Sequence, residues 1–455
     1  MNTKLKLLCL SNGHGEDAIA VRILRELQKH PHPPELAVLP LVGEGQAYSQ
    51  LENVPIIGPV QRMPSGGFIY MDGRQLVRDV NSGLLQLTLA QFKTIRAWAK
   101  QGGSILAVGD IVPLLFAWLS GVPYAFVGTA KSEYYLRDEE GPLPRRSRVQ
   151  RWEGWSGSVY LPWERWLMSR RRCQAVFPRD ALTAETLQRF RIPAYNLGNP
   201  MMDDLLSENA EPAFYGGDME IREKQRSLVI VLLPGSRAPE AYANWELIVQ
   251  AVAKVADVFR DRHLLFLGAI APNLSLEALC PPLESSGWEQ EGGGVRERGS
   301  RGAGEQGSIL QLPVANPKLP VPKPKLPMAF KNRNASLILT QQSFSDCLNQ
   351  GDFAIAMAGT ATEQFVGLGK PAIAIPGSGP QFTYAFAEAQ SRLLGPSLIL
   401  VKHPAEVPSV IQSLLRDPDR LQLIAENGLR RMGEPGAARR ISACLLEKKG
   451  LGARG

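Results

Sequence analysis

The chain has 455 residues, of which 44% are hydrophobic and 21% charged, with a formal net charge of +7. This length corresponds to two or three domains of roughly 100–200 residues each, and the near-average composition excludes wholesale disorder, collagen-like repeats and coiled coil. The five cysteines are far apart and form no Cys-x-x-Cys pair. This spacing argues against a disulfide framework or a zinc ribbon and favours a reducing compartment.

Neither a membrane span nor a signal peptide is predicted. The longest apolar stretch, 111–127, contains two prolines and a glycine, so it is too interrupted for a span of about 20 residues. The apolar run at residues 5–10 ends at Ser11-Asn12-Gly13, well short of a signal-peptide hydrophobic segment. We therefore expect a cytoplasmic protein with a buried first strand.

Strands and helices alternate along the first half of the chain. The apolar run at 5–10 precedes a glycine-containing turn and helical periodicity over 18–28. Further strands are predicted at 35–41, 105–108 and 124–127, and further helices at 82–100 and 113–120. This alternation indicates a parallel sheet covered on both faces. Residues 1–206 are therefore predicted to form a Rossmann-like N-terminal domain.

The same pattern restarts after a polar segment, 207–226, which is predicted to be a linker. Strands are predicted at 227–233, 263–267, 336–339, 353–356 and 371–375, with helices at 244–260 and 361–367. A second Rossmann-like domain is thus predicted over 227–430, followed by a C-terminal helix and tail over 431–455. Residues 285–325, rich in glycine and proline, are predicted to be a disordered insertion. The expected fold class is α/β, with two doubly wound domains facing a cleft.

The turn after the first predicted strand reads Gly13-His14-Gly15-Glu16-Asp17. Exposed backbone N–H groups before a helix suit an anion or a closely approaching substrate, so Gly13, Gly15 and Glu16 are candidate binding residues. His14, Glu16 and Asp17 are titratable, and any of them could act as a general base. Alternatively, Glu16 or Asp17 caps the helix.

Two further candidates directly follow predicted strands. Asp110 stands where open α/β sheets place their ligand crevice, which suits a catalytic base, with capping of the next helix as the alternative. Arg237 follows a Pro-Gly turn, from which a guanidinium can hold a phosphate with two hydrogen bonds. A solvated surface arginine is the alternative there.

The stretch 359–363 reads Gly-Thr-Ala-Thr-Glu, and a second glycine-rich turn at 376–381 follows it. Small residues before a helix let a diphosphate reach the backbone amides, and a carboxylate one turn into the helix can accept hydrogen bonds from ribose hydroxyls. An ordinary capped helix is the alternative. The predicted binding residues are Gly359, Thr360, Ala361, Glu363 and Gln381.

Basic and aromatic residues concentrate in residues 145–172. Eight arginines and two glutamates give this stretch a net charge of +6, and it holds four of the eight tryptophans. Indole and guanidinium groups together suit an anionic membrane surface. Nucleic acid and a solvated connection are the alternatives. We expect a membrane contact and no nucleic-acid partner.

These motifs together resemble the GT-B glycosyltransferases and, within them, the lipid A disaccharide synthase family. The Gly-His-Gly-Glu-Asp turn, Leu-Leu-Pro-Gly-Ser-Arg at 232–237 and Gly-Thr-Ala-Thr-Glu at 359–363 carry the resemblance. Gly-Asn-Pro-Met-Met-Asp at 198–203 and Arg-Met-Gly-Glu-Pro-Gly-Ala-Ala at 431–438 add to it. It covers most of the chain outside 285–325.

The resemblance implies an inverting, metal-independent hexosyltransferase without a cofactor, which moves a hexosamine-type sugar from UDP to a lipid acceptor. By that resemblance, the UDP part is held by Arg237, Gly359, Thr360 and Glu363. A UDP-sugar epimerase of the same fold, or a non-catalytic paralogue that binds nucleotide sugar or lipid, remains an alternative.

The first domain would then supply the catalytic base. Asp110 is the first candidate to deprotonate the acceptor hydroxyl, and Asp17 or His14 is the second. The expected partners are a UDP-sugar, a lipid acceptor and, through 145–172, an anionic membrane surface. We expect a peripherally membrane-associated protein.

Overall fold

The first half of the chain folds around a parallel sheet. A computed structural model describes residues 5–61, 84–144, 154–205, 226–291 and 327–447. The strands of the first half are β1 (Lys6–Ser11), β2 (Glu35–Pro40), β3 (Ser104–Gly109), β4 (Tyr124–Gly128) and β5 (Cys173–Phe177). Within the described ranges they form one parallel sheet in the order β2-β1-β3-β4-β5.

Helices cover both faces of this sheet. They are α1 (His14–Gln28), α2 (Leu84–Ala99), α3 (Ile111–Ser120), α4 (Pro162–Met168) and α5 (Ala181–Arg189). Because successive side chains of a strand point to opposite faces, Leu7 and Cys9 of β1 pack into one apolar cluster and Leu8 and Leu10 into another. Burial on both faces explains the continuous apolar run of β1.

The second half builds a larger sheet. Its strands are β6 (Leu228–Leu233), β7 (Leu264–Ala269), β8 (Glu289–Gln290), β9 (Met328–Asn332), β10 (Ala335–Thr340), β11 (Phe353–Ala356), β12 (Ala372–Ala374) and β13 (Leu398–Leu400). Their order is β13-β12-β11-β6-β7-β10-β9-β8. The pairs are parallel from β13 to β10, whereas β9 and β8 pair antiparallel. The predicted α/β class with two Rossmann-like domains is confirmed, and the antiparallel edge is an addition.

The helices of the second half are α6 (Glu240–Val258), α7 (Cys280–Ser285), α8 (Phe344–Gln350), α9 (Thr360–Gly367), α10 (Tyr384–Leu394), α11 (Val407–Leu415), α12 (Pro418–Met432) and α13 (Ala437–Glu447). Buried residues of β6 and α6, such as Leu232 and Val252, share one apolar core. Among the described residues, no helix has both the length and the apolar character that crossing a membrane requires.

The last helix returns to the first domain. Ile441 and Leu445 of α13 are buried in the same apolar cluster as Ile19 and Ile23 of α1. The carboxylate of Asp203 accepts hydrogen bonds from the backbone N–H groups of residues 436, 437 and 438, at 2.6, 3.1 and 2.8 Å. The two motifs at 198–203 and 431–438 therefore meet, and the carboxylate of one caps the helix of the other.

The boundary expected for the insertion needs a correction. Residues 285–291 are folded: Ser285 ends α7, β8 pairs with β9, and Trp288 is buried with its ring edge-on to Phe266. Gly287 and the neighbouring serines are residue types typical of disordered segments, so nothing in the sequence indicated that 285–291 is folded. The rest of the predicted insertion lies in 292–326, most of the predicted linker in 206–225 and the end of the tail in 448–455, all outside the described residues.

Candidate functional site

The first turn of α1 carries the residues expected in a loop. Gly13 precedes the helix with a φ of 131°, a conformation that side chains other than glycine rarely adopt. The helix begins at His14, four residues earlier than expected, so Gly15, Glu16 and Asp17 are helical. The expectation of a loop at 14–17 was wrong, because acidic residues in a first turn favour a helix N-terminus.

Asp17 points inward from this turn. It is 1% exposed, and its Oδ1 accepts a 2.5 Å hydrogen bond from the hydroxyl of Ser11, which in turn accepts one from the hydroxyl of Tyr48 at 2.6 Å. Burial raises the pKa of Asp17 to about 7. Because this carboxyl lies beneath the surface, Asp17 is less suited to contact an acceptor hydroxyl than the other candidate bases.

Stability should depend on the titration of Asp17. Its pKa is about 7 in the folded protein against an ordinary value of 3.8, so the stability it contributes is fully present below about pH 4 and is lost as the pH rises through 7. Asp17→Asn keeps the acceptor oxygen but does not titrate. The free energy of unfolding of this variant, relative to that of the parent, should therefore rise by about 2–4 kcal/mol between pH 4 and pH 8. Urea unfolding at both pH values measures this. A difference in free energy of unfolding between variant and parent that does not vary with pH would contradict this prediction.

Asp110 and Glu16 lie together at the carboxyl ends of β1 and β3. Asp110 caps α3, since its Oδ1 accepts from the backbone N–H of Val112 at 2.8 Å, and its Oδ2 accepts from the amide of Asn12 at 2.9 Å. Glu16 packs over Gly109, where a Cβ would lie 3.1 Å from its Cγ. Both readings of Asp110, a cap and a residue of the ligand crevice, are therefore compatible with its position.

The two carboxyls have raised pKa values. Burial raises the pKa of Glu16, and the charge of Asp110 raises it further. Burial likewise raises the pKa of Asp110, although hydrogen bonds from Val112 and Asn12 act in the opposite direction. A carboxyl whose pKa moves toward neutrality is a better general base at physiological pH than an ordinary one.

In the second domain, the predicted donor residues lie at the beginning of α9 and on the loops after the two strands that flank β11. Gly359 is the N-cap residue, Thr360 is exposed in the first turn, and Ala361 is half-buried. Arg237 is exposed at the turn after β6, the strand beside β11. Gln381 is half-buried in the loop after β12, the strand on the other side of β11. These residues therefore lie on the loops that follow three adjacent parallel strands, at the carboxyl end of the sheet.

Glu363 is buried in α9, and its partner comes from the first domain. Its Oε2 accepts a 2.5 Å hydrogen bond from Nη2 of Arg179, which follows β5. Arg179 is 4% exposed, and its Nη1 also donates to the carbonyl of Thr129 at 3.3 Å. The hydroxyl of Thr129 donates to Glu16 at 3.4 Å. Thr129 and Arg179 thus connect Glu16 of the first domain to Glu363.

Sequence reasoning missed Arg179 because it missed β5. The run Cys-Gln-Ala-Val-Phe at 173–177 is short and follows directly on the basic segment. The signal was nevertheless present: an apolar run followed by Pro178 and a charged pair, Arg179 and Asp180, resembles the strand end at Asp110. Asp180 caps α5 as Asp110 caps α3.

A second set of contacts joins the domains beside the Arg179 bridge. Tyr134 of the first domain is buried in the core of the second, with the guanidinium of Arg431 stacked 4.1 Å from its ring centre. Arg392 donates to the carbonyl of Tyr135 at 2.6 Å. This interface and the Arg179 bridge fix the two candidate half-sites relative to each other.

The described part of the basic segment, 154–172, exposes aromatic rings. Trp155, Trp163 and Trp166 are 58%, 51% and 45% exposed. The guanidinium of Arg170 lies 4.3 Å from the ring centre of Trp166, and Arg171 is exposed. We call these five residues the aromatic–basic surface. Residues 145–153 lie outside the described residues.

Comparisons with known proteins identify a fold. No protein-family model and no curated protein matches the chain. The S. aureus MnaA–UDP structure matches 99% of this chain and 98% of its own, at 11% identity and a TM-score of 0.54. CalG4, the calicheamicin glycosyltransferase, matches all of both chains at 11% identity and a TM-score of 0.53.

A third solved structure, UDP-GlcNAc 2-epimerase from Neisseria meningitidis bound to UDP-GlcNAc, matches 97% of this chain and 100% of its own. Its identity is 15% and its TM-score 0.50. At these identities the likeness shows the architecture. With its two Rossmann-like domains, the chain has the GT-B fold.

Proposed function

We propose that the protein is a UDP-sugar-dependent glycosyltransferase that transfers a hexosamine-type sugar to a lipid acceptor with inversion, as the resemblance to lipid A disaccharide synthase implies. The observation that carries the proposal is the chain of hydrogen bonds from Glu16, whose pKa is raised by burial and by the nearby charge of Asp110, through Thr129 and Arg179 to Glu363. The candidate base and the candidate nucleotide site are thereby connected across the domain interface, which supports the proposal. Solved structures of the same fold that hold UDP or UDP-GlcNAc support a UDP-sugar as the donor.

In the proposed reaction, UDP lies at the N-terminus of α9. The helix dipole and Arg237 stabilise the charge that develops on the leaving diphosphate, so the proposal includes no metal or cofactor. Asp110, with Glu16 beside it, takes the proton from the acceptor hydroxyl as that oxygen attacks the anomeric carbon and UDP departs. Glu363 accepts hydrogen bonds from the ribose.

The competing function is UDP-sugar epimerisation, which the solved epimerase of the same fold favours. Incubation of the purified protein with a panel of UDP-sugars, with and without a membrane lipid extract, separates the candidates. Lipid-dependent release of UDP supports transfer. Isomerisation without lipid supports the epimerase, and saturable binding without turnover supports a non-catalytic binding protein.

The proposal also places the first domain on an anionic membrane through the aromatic–basic surface. Each arginine near such a surface contributes about 1 kcal/mol, and exposed tryptophan rings insert at the headgroup level. Trp163 and Trp166 lie in α4 and Trp155 shortly before it, so the exposed rings belong to the first domain. The cytoplasmic, peripheral location expected from the sequence is part of this proposal.

Vesicle binding tests this surface. The triple variant Arg170→Glu, Arg171→Glu and Arg172→Glu should lose flotation with anionic vesicles and keep UDP affinity, whereas the matched variant with Arg260, Arg416 and Arg420 changed to Glu should float like the parent. Raising the salt from 0.1 to 1 M, which shortens screening from about 10 to about 3 Å, should weaken the parent's binding. Unchanged flotation of the first triple variant would remove the membrane contact from the proposal, and a preference for single-stranded nucleic acid would reassign the surface.

A further inference from the structure

The proposed donor site depends on three separate loops having one arrangement. Arg237 is on the loop after β6, Gly359 on the loop after β11 and Gln381 on the loop after β12. These strands are neighbours in the order β12-β11-β6. Hydrogen bonds between strands fix the strand ends, but the loops beyond them need contacts of their own.

Two buried side chains of α6 supply such contacts. Glu240, in the first turn, is 7% exposed, and its Oε1 accepts from the backbone N–H groups of Gln381 and Phe382 at 3.0 and 2.6 Å. Asn244, one turn later, donates from Nδ2 to the carbonyl of Pro234 at 3.0 Å and to that of Met357 at 3.4 Å. One helix therefore holds the backbone of all three loops.

The glycines of the third loop make this contact close. A Cβ on Gly379 would lie 2.5 Å from Cγ of Glu240, and a Cβ on Gly377 would lie 2.7 Å from Oδ1 of Asn244. Real Cβ atoms do not approach so closely, so any side chain at these positions would push the loop away from α6. The loop backbone rests directly on the two polar side chains.

We propose that Glu240 and Asn244 are positioning residues of the nucleotide site: they hold the loops of Arg237, Gly359 and Gln381 in the single arrangement that binds UDP. The inference rests on the proposed function for its ligand. Neither residue needs to touch the nucleotide, because a carboxylate that accepts two successive backbone N–H groups fixes a loop in position and direction. Without these hydrogen bonds UDP binds more weakly, because part of the binding free energy is then used to order the loop.

UDP affinity measured by calorimetry tests the proposal. Glu240→Ala should weaken UDP binding at least 10-fold, and Glu240→Gln, whose amide oxygen can still accept both hydrogen bonds, should restore most of it. Gly379→Ala leaves Glu240 in place but displaces the loop, and should weaken binding similarly. Glu246→Ala, at an exposed position of the same helix, is the matched control and should bind like the parent.

Hydrogen exchange of residues 376–386 gives a second readout in the same proteins. Faster exchange in Glu240→Ala together with weaker UDP binding supports positioning. Faster exchange with the parent's UDP affinity would overturn it, because the contact would then serve the fold alone, and so would equal UDP affinity in all variants. A parent that binds no UDP would instead overturn the proposed function on which the inference rests.

Discussion

Glu363→Gln is expected to lower the affinity for UDP about 10-fold or more. A carboxylate that accepts hydrogen bonds from ribose hydroxyls contributes about 1.5–3 kcal/mol, and glutamine keeps the shape but loses the charge. Isothermal calorimetry with UDP measures the change. Glu284→Gln, at an exposed position of the same domain, removes a charge elsewhere and should bind like the parent.

The same substitution should also destabilise the fold, since Glu363 pairs with the buried guanidinium of Arg179. Removing the charge of one partner in a buried ion pair costs up to about 3–5 kcal/mol. Arg179→Gln should show a similar loss in urea unfolding. Affinity is therefore measured well below the unfolding transition of each variant. A folded Glu363→Gln protein with the parent's UDP affinity would remove Glu363 from the nucleotide site.

Asp110→Asn is expected to lower turnover by about 10²–10⁴ while UDP-sugar affinity stays nearly constant. A general base contributes a rate factor of this size, and asparagine cannot take the proton. The fold should change little, because asparagine also caps helices well. Initial rates at saturating donor, combined with donor affinity, separate the chemical step from binding.

Asn12 explains why the stability cost should stay below roughly 1 kcal/mol. Its amide nitrogen donates to Asp110, while its Oδ1 has no hydrogen-bond partner within the described residues. Rotating the Asn12 amide by half a turn would pair its oxygen with the new amide at 110. Most of the parent's activity in a stable Asp110→Asn protein would make Asp110 a cap only. Glu16→Gln then becomes the variant to test as the base.

Local sequence signals were sufficient for most of the fold. Continuous apolar runs bounded by glycine or proline located β1, β3, β4, β6 and β11 within a residue or two, since strands buried on both faces need apolar residues throughout. The short β13 was missed although residues 398–401 are apolar and follow Gly395 and Pro396, and the antiparallel β9 has no such signal. β8 and β9 also flank a segment whose composition is typical of disordered chains, and the predicted insertion therefore extended over β8.

The candidate site could be predicted only in parts. The strand-end rule located Asp110, and glycine before a helix located Gly359, because both signals are local. The contact of Arg179 with Glu363 joins residues 184 positions apart and depends on how two domains face each other, which no local pattern specifies. The burial of Asp17 is similar, because only the packing of Tyr48 and Ser11 around α1 distinguishes it from its neighbour Glu16.

The return of α13 to the first domain determines how the protein can be divided. A fragment that ends at residue 206 would lose Ile441 and Leu445 from its core and expose the face of α1 that they cover. Each such side chain contributes about 1.5–3 kcal/mol, so an N-terminal half expressed alone would be poorly stable or insoluble. A stable single-domain fragment of the first half needs residues 434–447 joined to its end through a new loop.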